Sequence, residues 1–407
     1  MNHPASDKML SQDDPAVQKL PNKIVTIVLV ATLSRLLINT ARRFIYTFAP
    51  AIGKGLGVPL TSITSLIAMN QATSILGMFI APLGDRFGYK LMLVTGMLCL
   101  SIGTVATGVL PFYGVLLLTL FLTGLGKAIF DPAIQAFAGQ HIPYEKRGTV
   151  IGIMEIAWAG SAIIGIPFAG FLIEKGGWQA PFLALGILSI IALVCILIWV
   201  PAERNIVRHP GKEQRLHSFW KELASNRPAL GALVFIMCIS IANDNIFIVY
   251  GIWLKDSFNL SILALGIGTM VIGAAEICGE SLTALFADRI GLGRSVIIGL
   301  CLSTGSFLIL LIPTGSLTVA LSMLFFIFLS FEFSLVTSIG FCTELVPESR
   351  AAMMSTFYAA SGFGRVIGAF MGGWSWSQGG LQLIAIESAL FTFIALLALI
   401  WGMGDRS

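Results

Sequence analysis

Gly84-Asp85-Arg86-Phe87-Gly88 and Ala287-Asp288-Arg289-Ile290-Gly291 are one polar turn written twice, with Asp85 and Asp288 203 residues apart. Four further pairs keep that offset: Glu145 with Glu348, Arg147 with Arg350, Gly165 with Gly368 and Gly170 with Gly373. Each turn separates two long apolar runs. A helical span of the hydrocarbon core takes about 20 mainly apolar residues. Twelve such runs are read, at 24–50, 62–83, 91–111, 113–139, 149–173, 181–200, 229–254, 262–286, 294–313, 316–343, 352–375 and 381–403. A β-barrel would instead show alternating segments of about ten residues, and these are absent.

Composition agrees with lipid as the main solvent. Of 407 residues, 56% are hydrophobic and 11% charged, against about 25% charged in a soluble domain, and the mean hydropathy is +0.88. A soluble globular enzyme is excluded. A formal net charge of +4, with no long block of one sign, excludes a disordered chain or a nucleic-acid-binding tail.

The polar stretch 201–228 divides the chain into an N-terminal six-helix bundle (1–200, with a short tail), a central cytoplasmic loop and a C-terminal six-helix bundle (229–407). Of the 25 Lys and Arg, 17 fall in the tails and even-numbered connections. Lys54, Lys175 and Lys255 lie on the other side, and Arg35, Arg42, Arg43, Lys127 and Arg365 lie within spans. The positive-inside rule therefore predicts both termini in the cytoplasm and a multi-pass protein of the plasma (inner) membrane. Residues 1–22 lack the apolar core of a cleaved signal peptide. Two half-chain repeats of parallel orientation are the sequence sign of a transporter whose substrate site lies between two bundles.

The turn and its recurrence resemble the major facilitator superfamily, over nearly the whole chain. The family pattern G-x-L-x-D-R-x-G-R-R stands here as Ala81-Pro82-Leu83-Gly84-Asp85-Arg86-Phe87-Gly88-Tyr89-Lys90, with Ala81 and Tyr89 as departures. The resemblance implies an all-α integral membrane protein of twelve helices in two pseudo-symmetric bundles, working by alternating access, with spans 1, 4, 7 and 10 lining a cavity. Gating residues implied are Gly84, Asp85, Arg86, Gly88 and Lys90, repeated as Asp288, Arg289 and Gly291. Gly165, Pro167 and Gly170 on span 5 resemble the glycine-proline motif of the antiporter branch, although Ile166 and Phe171 break its pattern. Leu120 stands where drug/proton antiporters carry an arginine on span 4.

Charged groups in the spans are the candidate substrate and proton sites, because an unpaired charge at the bilayer centre costs about 2.5–3.5 kcal/mol and must face a cavity or a partner. Arg35 and Arg42, seven apart, share a face of span 1, which also carries the hydrogen-bonding Asn39 along its length, whereas Arg43 is expected to snorkel to the outer interface. Lys127 and Asp131 are four apart and close enough to neutralise each other. Glu155, Asp244 and Glu332 are isolated carboxyl groups in apolar surroundings, and Glu276 and Glu280 lie one turn apart, a pairing that disfavours double ionisation. Either member could also pair with Arg365 or Arg42. Further hydrogen-bonding groups are Asn70, Gln71, Gln135, Asn243 and Asn245, and Trp158, Phe130, Tyr250, Phe331 and Tyr358 could wall a cavity.

Six single cysteines without CxxC and four histidines confined to polar segments supply no metal site. There is no nucleophile elbow and no Walker loop, so neither an enzyme nor an ATP-driven pump is expected. No cofactor is expected beyond a proton gradient. The leading expectation is a monomeric, proton-coupled exporter of a small amphipathic molecule, with the lipid bilayer and that molecule as its partners and no nucleic acid. Uptake of a small organic anion by the span 1 arginines and Arg365, or a non-transporting sensor or scaffold, are the alternatives.

Overall fold

The computed structural model describes residues 22–141, 144–202, 223, 226–343, 345–346 and 350–404. The Gly84, Asp85, Arg86 and Asp288 side chains lie outside the described set, as do those of Glu145, Arg147, Glu348 and Arg350 and most of the central loop 201–228. The chain is about 90% helical, with no strand among the described residues.

In chain order the helices are α1 Asn22–Leu56, α2 Leu60–Phe87, α3 Tyr89–Val109, α4 Tyr113–His141 and α5 Tyr144–Gly160. A π turn at Ser161–Gly165 joins α5 to α6 Ile166–Gly176. There follow α7 Ala180–Trp199, α8 Arg227–Phe247, α9 Tyr250–Phe258, α10 Ile262–Gly268 and α11 Met270–Ile290. The last three are α12 Leu292–Ile309, α13 Leu317–Thr343 and α14 Arg350–Met403.

Among the described residues, ten stretches are long and apolar enough to cross a membrane, where twelve were expected. Two features account for the difference. Helix α2 is 28 residues long but carries several side chains outside the described set. Helix α14 runs for 54 residues as one element, yet Gly380 at φ 57, ψ −147 breaks it between the two final runs. Only glycine takes that backbone conformation without strain.

Within the first seven helices α3 lies on α4 and α7 and α2 on α4, and within the last seven α8 lies on α14 and α13 on α11 and α12, while α14 lies as extensively on α2, α10 on α6 and α9 on α1 across the two groups. Burial differs between the spans. The apolar 18-residue window of Arg227–Phe258 is 83% buried, whereas that of Ala180–Trp199 is 28% buried and the helix turns Ile187, Ile191, Val194 and Ile198 outward. In lipid those apolar side chains need no protein partner.

Two turns repeat in geometry as well as sequence. Gly88 (φ 89, ψ 144) and Gly291 (φ 94, ψ 133) hold nearly the same conformation at the starts of α3 and α12. The packing repeats too: Gly165 lets α1 approach at Thr40, and its counterpart Gly368 lets α14 approach α8 at Ile241 and Asp244. Thr47 hydrogen-bonds the Tyr250 hydroxyl, and these residues are themselves 203 apart. Residues that meet their own repeat counterparts lie on the pseudo-two-fold axis.

The two groups join on the side away from the chain termini. Phe48 sits at a kink before Pro50, where proline removes an N–H and crowds the preceding turn. It is fully buried and receives Gly170 from α6 and Gly266 from α10. Gly251 lies on Thr47, Gly373 on Thr64, and Gly273 on Ala159 and Ala162. The π turn ends two residues before Pro167, and Ile166 N–H reaches back five residues to Ser161 O.

The glycine seams give a testable expectation. At Gly364 a side chain would meet the Met237 carbonyl and Ser240, whereas at Gly305 nothing lies within 4 Å. Gly364→Leu should cost about 1–3 kcal/mol of stability through overpacking, and Gly305→Leu should cost little. Thermal unfolding of the purified protein in detergent measures both; equal shifts would refute the α8–α14 seam.

Candidate functional site

Helix α1 organises the site. Residues 35, 39, 42, 43, 46 and 47 recur at helical spacing and meet α2, α4, α5, α8, α9 and α11 in turn.

Nearest the termini, Arg35 donates from Nη1 and Nη2 to Glu155 Oε1 and Oε2 at 2.8 and 3.0 Å, a two-pronged match of guanidinium to carboxylate. Its Nε donates to Asp131 Oδ1 at 3.3 Å. Asp131 Oδ2 lies 2.7 Å from Lys127 Nζ one turn earlier on α4, and Lys127 also donates to Asn39 Oδ1 at 2.6 Å. Two cations and two carboxylates thus close a neutral network inside the first group. The Glu155 side chain is 37% exposed and that of Asp131 20%.

About two turns beyond Arg35, Arg43 crosses between the groups. Its Nη1 and Nη2 donate to Glu276 Oε2 and Oε1 at 3.0 and 2.7 Å, and both side chains are buried. Nη1 also donates to the Trp158 carbonyl at 2.9 Å and to Ser161 Oγ at 3.3 Å. The Trp158 indole N–H donates to Glu276 Oε1 at 3.0 Å. The same ring lies 4.4 Å from the Arg43 guanidinium and 5.3 Å from Lys127 Nζ, near enough for cation–π attraction to both. Trp158 therefore bridges the neutral network to the inter-group pair.

Arg43 departs from its expected place. It is 1% exposed at the junction rather than at the outer interface. It is also Arg43, not Arg42 or Arg365, that pairs with Glu276. Glu280 is half-buried and Glu332 is buried on α13 beside Gly279. Both lie within electrostatic reach of Glu276, and no described residue forms an ion pair with either.

The third constellation surrounds Arg42, which is partly exposed. Its Nε donates to Asn70 Oδ1 at 2.9 Å and its Nη2 to Gln71 Oε1. Gln71 Nε2 passes the contact on to Asp244 Oδ1 at 3.1 Å in the second group, and also to the Tyr46 hydroxyl. Arg365 Nε stands 3.6 Å from Asp244 Oδ2. Asp244 is fully buried.

Of the remaining expected gating residues, Lys90 Nζ donates to Leu197 O at 2.8 Å and ties α3 to α7, while Arg289 is exposed in the last turn of α11. Gly165, Pro167 and Gly170 sit at the π turn and the far-side contact. Tyr46 and Thr47 are contacts that sequence reasoning does not single out. The one signal that reaches Thr47 is its place 203 residues before Tyr250. Among the described residues no group of three or more His, Cys, Asp or Glu could hold a metal ion.

Residues 31–331 match the family model of the Major Facilitator Superfamily. The chain is 24% identical over 273 residues to the MFS-type transporter YceJ of Bacillus subtilis, covering 67% of this chain and 69% of that protein. It is 22% identical over 193 residues to the chloramphenicol resistance protein CraA of Acinetobacter baumannii, covering 47% and 46%. Among solved structures it is similar to a bacterial homologue of the human lysosomal transporter Spinster, inward-facing and unoccupied, with a TM-score of 0.78 and 17% identity over 96% of this chain and 99% of that one. The peptide transporter POT in complex with alafosfalin matches with a TM-score of 0.74 and 15% identity, covering 95% of each chain.

The buried pair makes a double-mutant expectation. Removing one partner of a buried ion pair strands the other charge and costs about 3–5 kcal/mol, while replacing both by apolar groups of similar volume is near neutral. Arg43→Met and Glu276→Met should each lower the unfolding temperature in detergent more than the double variant does. Additive losses would refute direct coupling.

Proposed function

The chain belongs to the major facilitator superfamily of membrane transporters, which work by alternating access, and we propose that it is a proton-coupled exporter of a small amphipathic molecule in which Glu276 carries the proton. The observation that supports this reading best is the Arg43–Glu276 pair, because it joins the two moving halves through a group that can be neutralised. A proton on Glu276 removes one charge of the pair and leaves Arg43 with the Trp158 carbonyl, Ser161 and the indole face. The inter-group bond then weakens while the cation keeps partners inside the first group.

Glu280 and Glu332 supply the approach. Glu280 follows Glu276 by one helical turn towards the terminus side, and of the three carboxyl groups here only Glu276 is ion-paired among the described residues, with Arg43, while Arg365 lies within electrostatic reach of Glu276 and Glu332. Protons are the charge that balances the excess. With the termini in the cytoplasm, as the distribution of Lys and Arg favours, the far-side contacts of α6, α9 and α10 close the outer face. This arrangement is inward-facing, with Glu155, Asp131 and Arg365 open to the cavity. Export is favoured by the resistance function in the name of the CraA relative. One chain holds both halves of the site, so a monomer in the plasma (inner) membrane suffices.

The test is transport in proteoliposomes under an imposed pH gradient, with a panel of lipophilic cations, organic acids and sugars. The wild type should accumulate an amphipathic member against its gradient. Glu276→Gln should lose about tenfold or more of gradient-driven accumulation, equivalent to about 1.4 kcal/mol of coupling, while retaining exchange without a gradient. Transport insensitive to the gradient in the wild type would overturn the coupling.

A further inference from the structure

The charges of the site do not balance locally. Arg35, Lys127, Asp131 and Glu155 neutralise one another, and Arg43 is matched by Glu276. Arg42 has no such partner among the described residues: its two hydrogen bonds go to amide oxygens of Asn70 and Gln71, which carry no charge. Among the described residues Arg365 has Asp244 alone, and at 3.6 Å the contact is longer than a hydrogen bond. Asp244 Oδ2 accordingly has no hydrogen-bond donor although it is buried. One carboxylate is left between two guanidinium groups.

The same residues hold the guanidinium of Arg42 in a defined orientation. Asn70 is anchored by Nδ2 donation to the Leu120 carbonyl and to Thr123 Oγ1 at 3.2 Å. Gln71 is anchored by Tyr46 and Asp244. These amides engage Nε and Nη2, which leaves Nη1 without a described acceptor on a partly exposed side chain. Arg365 is 21% exposed on the opposite group, and its charge acts on Arg42 across the cavity. A guanidinium presents planar paired donors that fit a carboxylate or phosphate. With Glu280 and Glu332 protonated, as the proposed function has them, two such groups on opposite halves and the single Asp244 carboxylate leave a net charge of one, which fits a single anion.

We infer that Arg42 and Arg365 form an anion subsite that takes the carboxylate or phosphate group of the transported molecule and joins the two halves through it. The inference deepens the transporter reading, and rests on it, by assigning the amphipathic molecule an anionic head. An anion there supplies the acceptors that Nη1 of Arg42 lacks and competes with Asp244 for Arg365. Asp244 then acts as the internal counter-ion that occupies Arg365 when the cavity is empty.

Calorimetry on the purified full chain in detergent tests this with phenylbutyrate, phenylbutyl phosphate, phenylbutanol and phenylbutylammonium, which share a tail and differ in head group. Saturable binding of either anion, with the alcohol and the ammonium silent, is the expected result. Arg42→Gln and Arg365→Gln should each weaken it about 10- to 100-fold, the range for a lost charged hydrogen bond. Arg365→Lys should retain part of it, and Asp244→Asn should strengthen it several-fold. That gain cannot come from a misfolded variant. Equal binding of the ammonium, no saturable anion binding, or anion binding indifferent to both arginines would overturn the inference. Displacement of the anion by phosphatidylglycerol through the same arginines would assign the site to a lipid headgroup and overturn a soluble ligand. Proton-driven flux in liposomes is scored separately: flux without anion binding removes the subsite and leaves the transporter, and anion binding without gradient-driven flux does the reverse.

Discussion

A guanidinium and a carboxylate buried together between two helix groups constrain everything around them. Taking either charge out of water costs several kcal/mol, and the attraction repays that only when geometry is good and the remaining donors and acceptors are satisfied. Arg43 and Glu276 meet most of those terms through two short bonds, the Trp158 carbonyl and indole, and Ser161, while Arg43 Nε is buried without an acceptor among the described residues. Such a pair resists small displacements and fails abruptly when one charge is removed. A junction of this kind suits a protein that must hold one arrangement and then exchange it for another.

The backbone architecture is duplicated and the chemistry is not. Gly88 and Gly291 share a conformation, Gly165 and Gly368 share a packing role, and Thr47 touches Tyr250 across the axis. At the same offset, however, Lys127 corresponds to Ser330, Asp131 to Ser334, Glu155 to Tyr358, and Arg43 to Ile246. Running backwards, Asp244 corresponds to Ala41, Glu276 to Thr73, and Arg365 to Ala162. Repeated glycines keep the two halves mechanically alike, as a rocking motion about a common axis needs. Unrepeated charges make the site between the halves polar in a directional way: the first half contributes most of the cations and the second half the isolated carboxyl groups.

Trp158 links these layers. Its ring lies against Lys127 in the closed network of the first group and against Arg43 at the junction, while its N–H reaches Glu276. A change in charge at Glu276 is therefore felt by the helix that carries Glu155, one turn away. The π turn at Ser161–Gly165 begins three residues later, a local widening of the kind frequent at functional sites.

Reading the chain alone was enough for the membrane environment, the helical class, the half-chain repeat and the family, because each depends on composition and on periods that survive averaging over many residues. The Lys127–Asp131 contact was legible for the same local reason, since residues four apart share a helix face. The final helices were separable only as runs of hydropathy, and tertiary structure located their break at Gly380. What sequence could not decide was which charge meets which. Arg42 and Arg43 are neighbours whose side chains diverge by about 100° around the helix, so one turns to Gln71 and the other to Glu276, 233 residues away. A helical period has to be known to within a fraction of that angle to tell them apart. Only the packing of α1 against α2, α5 and α11 sets the rotation that finely, because close-packed side chains leave a helix one azimuth.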